Sequence, residues 1–200
     1  MKDFWDGRYA IDDYFYGIAP NAFLASQCHR LQSGCEVLAV ADGEGRNGVW
    51  LAKQGLTVTA VDFSPVALEK ARRLAEREGV EVRHELADLF AWDWGENRWD
   101  ALVAIFVQFV SPEDRPEFHA RMKRALKPGG LLLLQGYRPK QVEYGTGGPS
   151  SAANMYTAEI LREEFADLEI LHLAEHDSVI EEGVGHKGLS ALVDLVARKR

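Results

Sequence analysis

Five short strand-like runs alternate along this chain with stretches of helical periodicity, and that alternation narrows the folds open to it. The runs are 36–41 (EVLAVA), 57–61 (TVTAV), 81–85 (EVRHE), 100–107 (DALVAIFV) and 131–136 (LLLLQG). Runs rich in Val, Ile and Leu with almost no polar alternation suit parallel strands covered on both faces. Repeated right-handed crossovers then produce a doubly wound α/β fold. Helix candidates lie near 46–54, 65–78 and 113–126. In the second, Ala67, Leu68, Ala71, Leu74 and Ala75 share one face and Gly79 ends it. Ser64-Pro65 and Ser111-Pro112 each read as an N-cap followed by proline in the first turn.

The two ends depart from this alternation. Residues 1–35 are rich in aromatic side chains and predict an N-terminal helical cover. After a helix candidate near 157–166 come strands at 168–175 and 189–198, joined by a segment with Gly183 and Gly185 but no helical pattern. Such a link makes an antiparallel pair. The expectation is a seven-stranded Rossmann-like sheet with an antiparallel last strand, in three α/β/α layers. Two hundred residues fit a single domain over 1–200. The stretch 137–156, loop-like after the fifth strand, predicts a substrate lid.

Charge and cysteine content exclude whole classes. With 23 basic and 31 acidic side chains the net charge is −8, the wrong sign for tracking phosphates, so no nucleic-acid partner is expected. Cys28 and Cys35 form no C-x-x-C pair, which predicts neither disulfide nor metal site and fits a reducing cytoplasm. The N-terminus carries acids where a signal peptide needs an apolar core, and no apolar stretch is long enough to span a bilayer. A cytoplasmic protein, monomeric or homodimeric, is expected.

The ligand question centres on residues 41–48, ADGEGRNG, which follow the first strand. Gly43, Gly45 and Gly48 have G-x-G-x-x-G spacing, and in open α/β sheets ligands bind beyond the carboxyl ends of the strands. Asp62 closes the second strand, where a carboxylate can accept hydrogen bonds from both hydroxyls of a ribose. To this point NAD and S-adenosylmethionine (SAM) fit alike. Asp42 and Glu44 favour SAM, because acids repel a pyrophosphate but suit a sulfonium and an ammonium group; Glu44 as a helix cap is the bland alternative. Asp88 can accept from an adenine amino group with Leu89 and Phe63 about the ring, or can cap a helix.

The ordered set VLAVADGEGRNG, VDFSPVAL, ADLF, DALVAIFVQF and LKPGGLLLL resembles the class I SAM-dependent methyltransferases. FWDGRY, YGIAPNAFLA and YGTGGP are similar, more loosely, to the small-molecule branch that includes thiopurine and tellurite-resistance methyltransferases. The resemblance implies that the glycine loop Gly43, Glu44 and Gly45 holds the methionyl part and Asp62 the ribose, with Asp42, Phe63 and Ser64 also among the cofactor-binding residues. It also implies that Asp88 and Leu89 hold adenine and that Phe106 lines the methyl-donor pocket. Ala39 and Ala41 stand where the family has an acid and a glycine.

Methyl transfer is an in-line displacement that needs positioning and water exclusion more than acid–base groups. A base becomes useful for a hydroxyl or amine acceptor. His186, in the glycine-flanked GVGHKG, is the candidate catalytic residue, with a surface turn as its alternative. His176 is a weaker candidate, and His29, His84, His119 and His172 read as structural. Trp5, Tyr9, Tyr16, Tyr137 and Tyr144 are candidate acceptor contacts, their faces suited to flat substrates and to a sulfonium. The chain therefore reads as transferring methyl from SAM to a small-molecule acceptor, with S-adenosylhomocysteine (SAH) as product. The alternatives are a SAM- or nucleoside-binding protein without transferase activity, or a nicotinamide-dependent oxidoreductase.

Overall fold

The computed structural model describes residues 2–200. Its strands are β1 (Glu36–Val40), β2 (Thr57–Asp62), β3 (Arg83–Leu86), β4 (Trp99–Ile105), β5 (Leu126–Tyr137), β6 (Glu169–Glu182) and β7 (His186–Arg198). They are hydrogen-bonded in the order β3-β2-β1-β4-β5-β7-β6. The helices are α1 (Lys2–Tyr9), α2 (Ala22–Gln27), α3 (Arg46–Lys53), α4 (Pro65–Glu78), α5 (Arg115–Ala125), α6 (Gln141–Tyr144) and α7 (Ala158–Glu164). The chain forms two compact units. One comprises the residues up to Asp93 with Glu182–Gly185; the other comprises Trp94–Glu181 with His186–Arg200.

In the first unit β1 pairs in parallel with β2, Val37 opposite Val58 and Ala39 opposite Ala60, and β2 pairs in parallel with the short β3. Val37, Leu38, Val58, Ala60 and Val61 are buried, as both-face coverage requires. β3 departs from the expected pattern: its Arg83-His84-Glu85-Leu86 sequence is half exposed, because it is an edge strand. α4 begins and ends where its sequence signals lie. Ser64 Oγ accepts from Ala67 N at 3.2 Å with Pro65 behind it, and Gly79, at φ 69°, closes a left-handed cap.

In the second unit β4 and β5 are parallel, and β5 and β7 are antiparallel with Leu133 opposite Val196 and Gln135 opposite Asp194. The expected reversal at the end of the sheet is present. Several boundaries differ from expectation. β4 ends at Ile105, so Phe106 lies just beyond the strand expected to hold it. β5 starts at Leu126, because a register shift between Trp99 and Ala101 of β4 accommodates the Pro128-Gly129-Gly130 stretch. α5 starts at Arg115 instead of at Ser111-Pro112: Ser111 opens a turn, and Pro116 has no amide to continue the ladder beside Arg115 N→Ser111 O. β6 and β7 are longer than expected, leaving only residues 183–185 as the turn.

Among the described residues no helix is long and apolar enough to cross a membrane, and no group of three or more His, Cys, Asp or Glu could hold a metal ion. Cys28 and Cys35 are both free.

Candidate active site

The glycine loop after β1 is shaped by backbone conformation. Ala41 (φ 49°), Gly43 (φ 60°) and Gly45 (φ 87°) all lie in the left-handed region, which turns the chain sharply into α3. A Cβ at Gly45 would stand 2.7 Å from Ala71 Cβ, so glycine there lets α4 pack against the loop. Gly48 is tight for another reason, since a Cβ there would meet Asp42 Oδ2 at 2.5 Å.

Asp62 is the pin of this loop. Its Oδ2 accepts from Gly43 N and its Oδ1 from Ser64 N, each at 2.9 Å, and the residue is only 3% exposed. Burial pushes its carboxyl up from the ordinary range, opposed by those amides. The Phe63 amide also bears on this carboxyl, whose four acceptor positions leave room for a ligand hydroxyl. Asp42 turns back on the helix start, both its oxygens near Gly48 N (3.2 and 3.1 Å). Burial pushes its carboxyl up to about 7, against the lowering effect of the Gly48 amide.

Glu44 has a different position from the one its sequence suggests. Its carboxylate is buried, its Oε1 takes Lys70 Nζ at 2.6 Å and its Oε2 takes the Tyr16 amide at 3.4 Å. Lys70 also donates to Asp13 O at 2.6 Å. Glu44 thus ties the N-terminal segment to the loop and to α4. The rest of that segment is fastened in the same unit. Ser64 Oγ donates to Asp6 at 2.5 Å, and the Tyr9 hydroxyl lies where a Cβ on Gly43 would be 3.0 Å away. Trp5 stacks on Tyr9 at 5.8 Å, and Tyr9 meets Tyr16 edge-on. Burial and then the Asp62 charge hold the Tyr9 phenol above its ordinary range. Phe63 is half-buried beyond Asp62. Asp88 is exposed and accepts from Phe90 N at 2.9 Å, capping a turn, while Leu89 beside it is buried.

The second unit holds an aromatic group. Phe106 follows β4 at φ 57°, a conformation a bulky residue rarely adopts. Its ring stacks on Tyr137 at 4.7 Å and meets His186 edge-on at 4.4 Å. His186 is therefore not in an exposed turn: it opens β7 and is buried. His176, mid-strand in β6, contacts Asp194 Oδ2 at 3.0 Å and Ser178 Oγ at 2.8 Å. Tyr144 lies apart from the aromatic group and donates to Asp177 Oδ2 at 2.8 Å. The segment after β5 is ordered by Gln141, fully buried, which donates to Thr146 Oγ1 and Gly147 O and accepts from Ala191 N. His119 is fully buried against Phe165 and Tyr156, and burial holds it below its ordinary range.

Residues 37–130 match the family model described as a methyltransferase domain. Over that stretch, just under half of its length, the chain is similar to methyltransferase domains. Over 105 residues it is 33% identical to the demethylmenaquinone methyltransferase of Thermus thermophilus, covering 52% of this chain and 47% of that protein. Over 166 residues it is 26% identical to hemagglutinin 1 of Eikenella corrodens, covering 82% and 54%. The chain spans about half the length of these curated relatives. Crystal structures agree in fold. TehB from Haemophilus influenzae has a TM-score of 0.74 at 21% identity, covering all of this chain and 67% of that one. The N-methyltransferase NodS from Bradyrhizobium japonicum, in complex with SAH, has a TM-score of 0.75 at 14% identity, covering 99% and 97%.

The loop also depends on residues other than the glycines and acids of its motif. Arg46, Lys70, Asn21 and Glu182 make the buried polar contacts around the loop. Arg46 did carry a signal: a cation in the first turn of a helix opposes the helix dipole and calls for a partner. Glu182 carried none, since only the fold brings it to Arg46.

Proposed function

We propose that this chain transfers a methyl group from SAM to a small-molecule acceptor. The observation that carries the reading is the loop after β1. Its left-handed glycines turn the backbone sharply after β1, and the buried Asp62 pins it from the end of β2. The fit to a zwitterionic nucleoside is chemical as well as steric. The loop offers an acid, Asp42, and a buried guanidinium N–H of Arg46 that no protein group meets.

When bound, SAM supplies an already activated methyl group, so the protein's work is holding and shielding. In this reading Asp62 takes the ribose hydroxyls, and the backbone of Gly43 to Gly45 lies along the methionyl part. Phe63 and Leu89 flank the adenine, and Asp88 gives up its turn cap to meet the adenine amino group. In the second unit Phe106, Tyr137 and His186 form an aromatic surface suited to a flat or soft acceptor, and His186 is the group there able to take a proton from a hydroxyl or amine. Tyr144 serves the loop through Asp177.

Calorimetric titration with SAM, SAH and NAD(H) tests the reading. Micromolar binding of the first two without the third supports it, and a screen of thiol, phenol and metalloid acceptors then follows. Binding of NAD(H) alone would overturn it.

A further inference from the structure

Arg46 is the first residue of α3, and its side chain is only 7% exposed. Nη2 donates to Glu182 Oε2 at 2.6 Å, whereas Nη1 is buried with no hydrogen-bond partner. A dry, unmet guanidinium donor is costly and uncommon in native proteins. Its surroundings are those of the loop just described. The Tyr16 phenol receives a hydrogen bond from Arg8 Nη1 at 3.3 Å, and both that phenol and the Asp42 carboxyl stand close enough to feel the Arg46 charge. Two guanidinium groups thus bear on one half-buried hydroxyl.

We infer that Arg46 Nη1, with Tyr16 beside it, is a carboxylate-binding subsite of this unit. A guanidinium fork matches the two oxygens of a carboxylate, and the other side of the same fork already holds one, that of Glu182. A phosphate dianion is disfavoured by the neighbouring Asp42 and Glu182. The inference rests on the first unit being a SAM cradle. Two sources present the same chemistry: the amino-acid end of the cofactor, or an acid group on the acceptor.

The experiment compares the full chain with Arg46→Met and Arg46→Lys by calorimetry. The titrants are SAH and 5′-methylthioadenosine, which keeps the nucleoside and lacks the amino-acid end. If Arg46 holds the cofactor's carboxylate, Arg46→Met weakens SAH by about 10- to 100-fold, Arg46→Lys restores part of it, and methylthioadenosine changes less than about twofold. If it holds the acceptor's, SAH binding is unchanged, and benzoate binds SAH-loaded wild type but not SAH-loaded Arg46→Met. Arg46→Met that matches wild type in all three titrations overturns the inference. So does equal weakening of SAH and methylthioadenosine, which would assign Arg46 a shape-holding role through Glu182. Glu182→Gln, which keeps the guanidinium, is expected to keep the preference for SAH. Wild type that binds neither nucleoside shows instead that the cradle reading is wrong, and the subsite falls with it.

Discussion

Ala41 occupies a left-handed conformation that glycine adopts freely and alanine does not. The resemblance to the family placed a glycine here, and the φ of 49° supplies the reason. Ala41→Gly should stabilise the protein by about 0.5–1 kcal/mol, the relieved strain exceeding the added chain entropy; a higher urea midpoint would show it. Asp42 makes a second prediction. Burial holds its carboxyl up at about 7 against an ordinary 3.8, so the folded protein keeps a proton the unfolded chain has lost. Its contribution is full below about pH 4 and falls as pH rises towards 7, by on the order of 4 kcal/mol. Asp42→Asn, which still accepts from Gly48 N, should flatten that decline in thermal melts between pH 4.5 and 8. Glu44 shows where residue-level reading stops: its carboxylate could be named from the motif, but Lys70, a full helix away, could not.

Elements with their own start and stop signals were legible. α4 carries its cap, its proline and its closing glycine within one contiguous stretch, and it begins at Pro65 and ends at Glu78 as those signals dictate. The hairpin was legible only in kind. Its turn is tight because Gly183 and Gly185 lie against Phe15–Gly17: a Cβ on Gly185 would be 2.3 Å from the Phe15 ring, and Phe15 O accepts from Val184 N and Gly185 N. Gly185→Ala should therefore loosen the segment before Asn21, with faster protease cleavage there and a loss of about 1–3 kcal/mol. Intact protection of that segment would show that the contact does not hold it. Gln141 anchors the segment after β5 in the same way, and Gln141→Ala should increase amide exchange over 144–150 without changing that of α4.

Over the whole molecule, binding and stability are linked. A ligand that binds only the folded state at about 100 times its Kd adds about 2.7 kcal/mol, which raises Tm by about 5–10 °C in a chain of this size. Saturating SAH should produce that shift in the wild type and not in Asp62→Ala, whose loss removes both the ribose acceptor and the pin on Gly43; an unchanged shift in the variant would remove Asp62 from the cofactor's binding. By itself the sequence determined the fold class, the reversal at the sheet's end and the place of the glycine loop between β1 and α3, because each follows from local periodicity, from turn glycines or from a motif contiguous in the chain. Tertiary structure alone decided which charges are met. Glu44 with Lys70, Arg46 with Glu182 and His186 with Phe106 and Tyr137 are far apart in sequence. What a buried charge or ring does depends on the partners that folding brings within a few ångströms, and spacing along the chain carries no record of them.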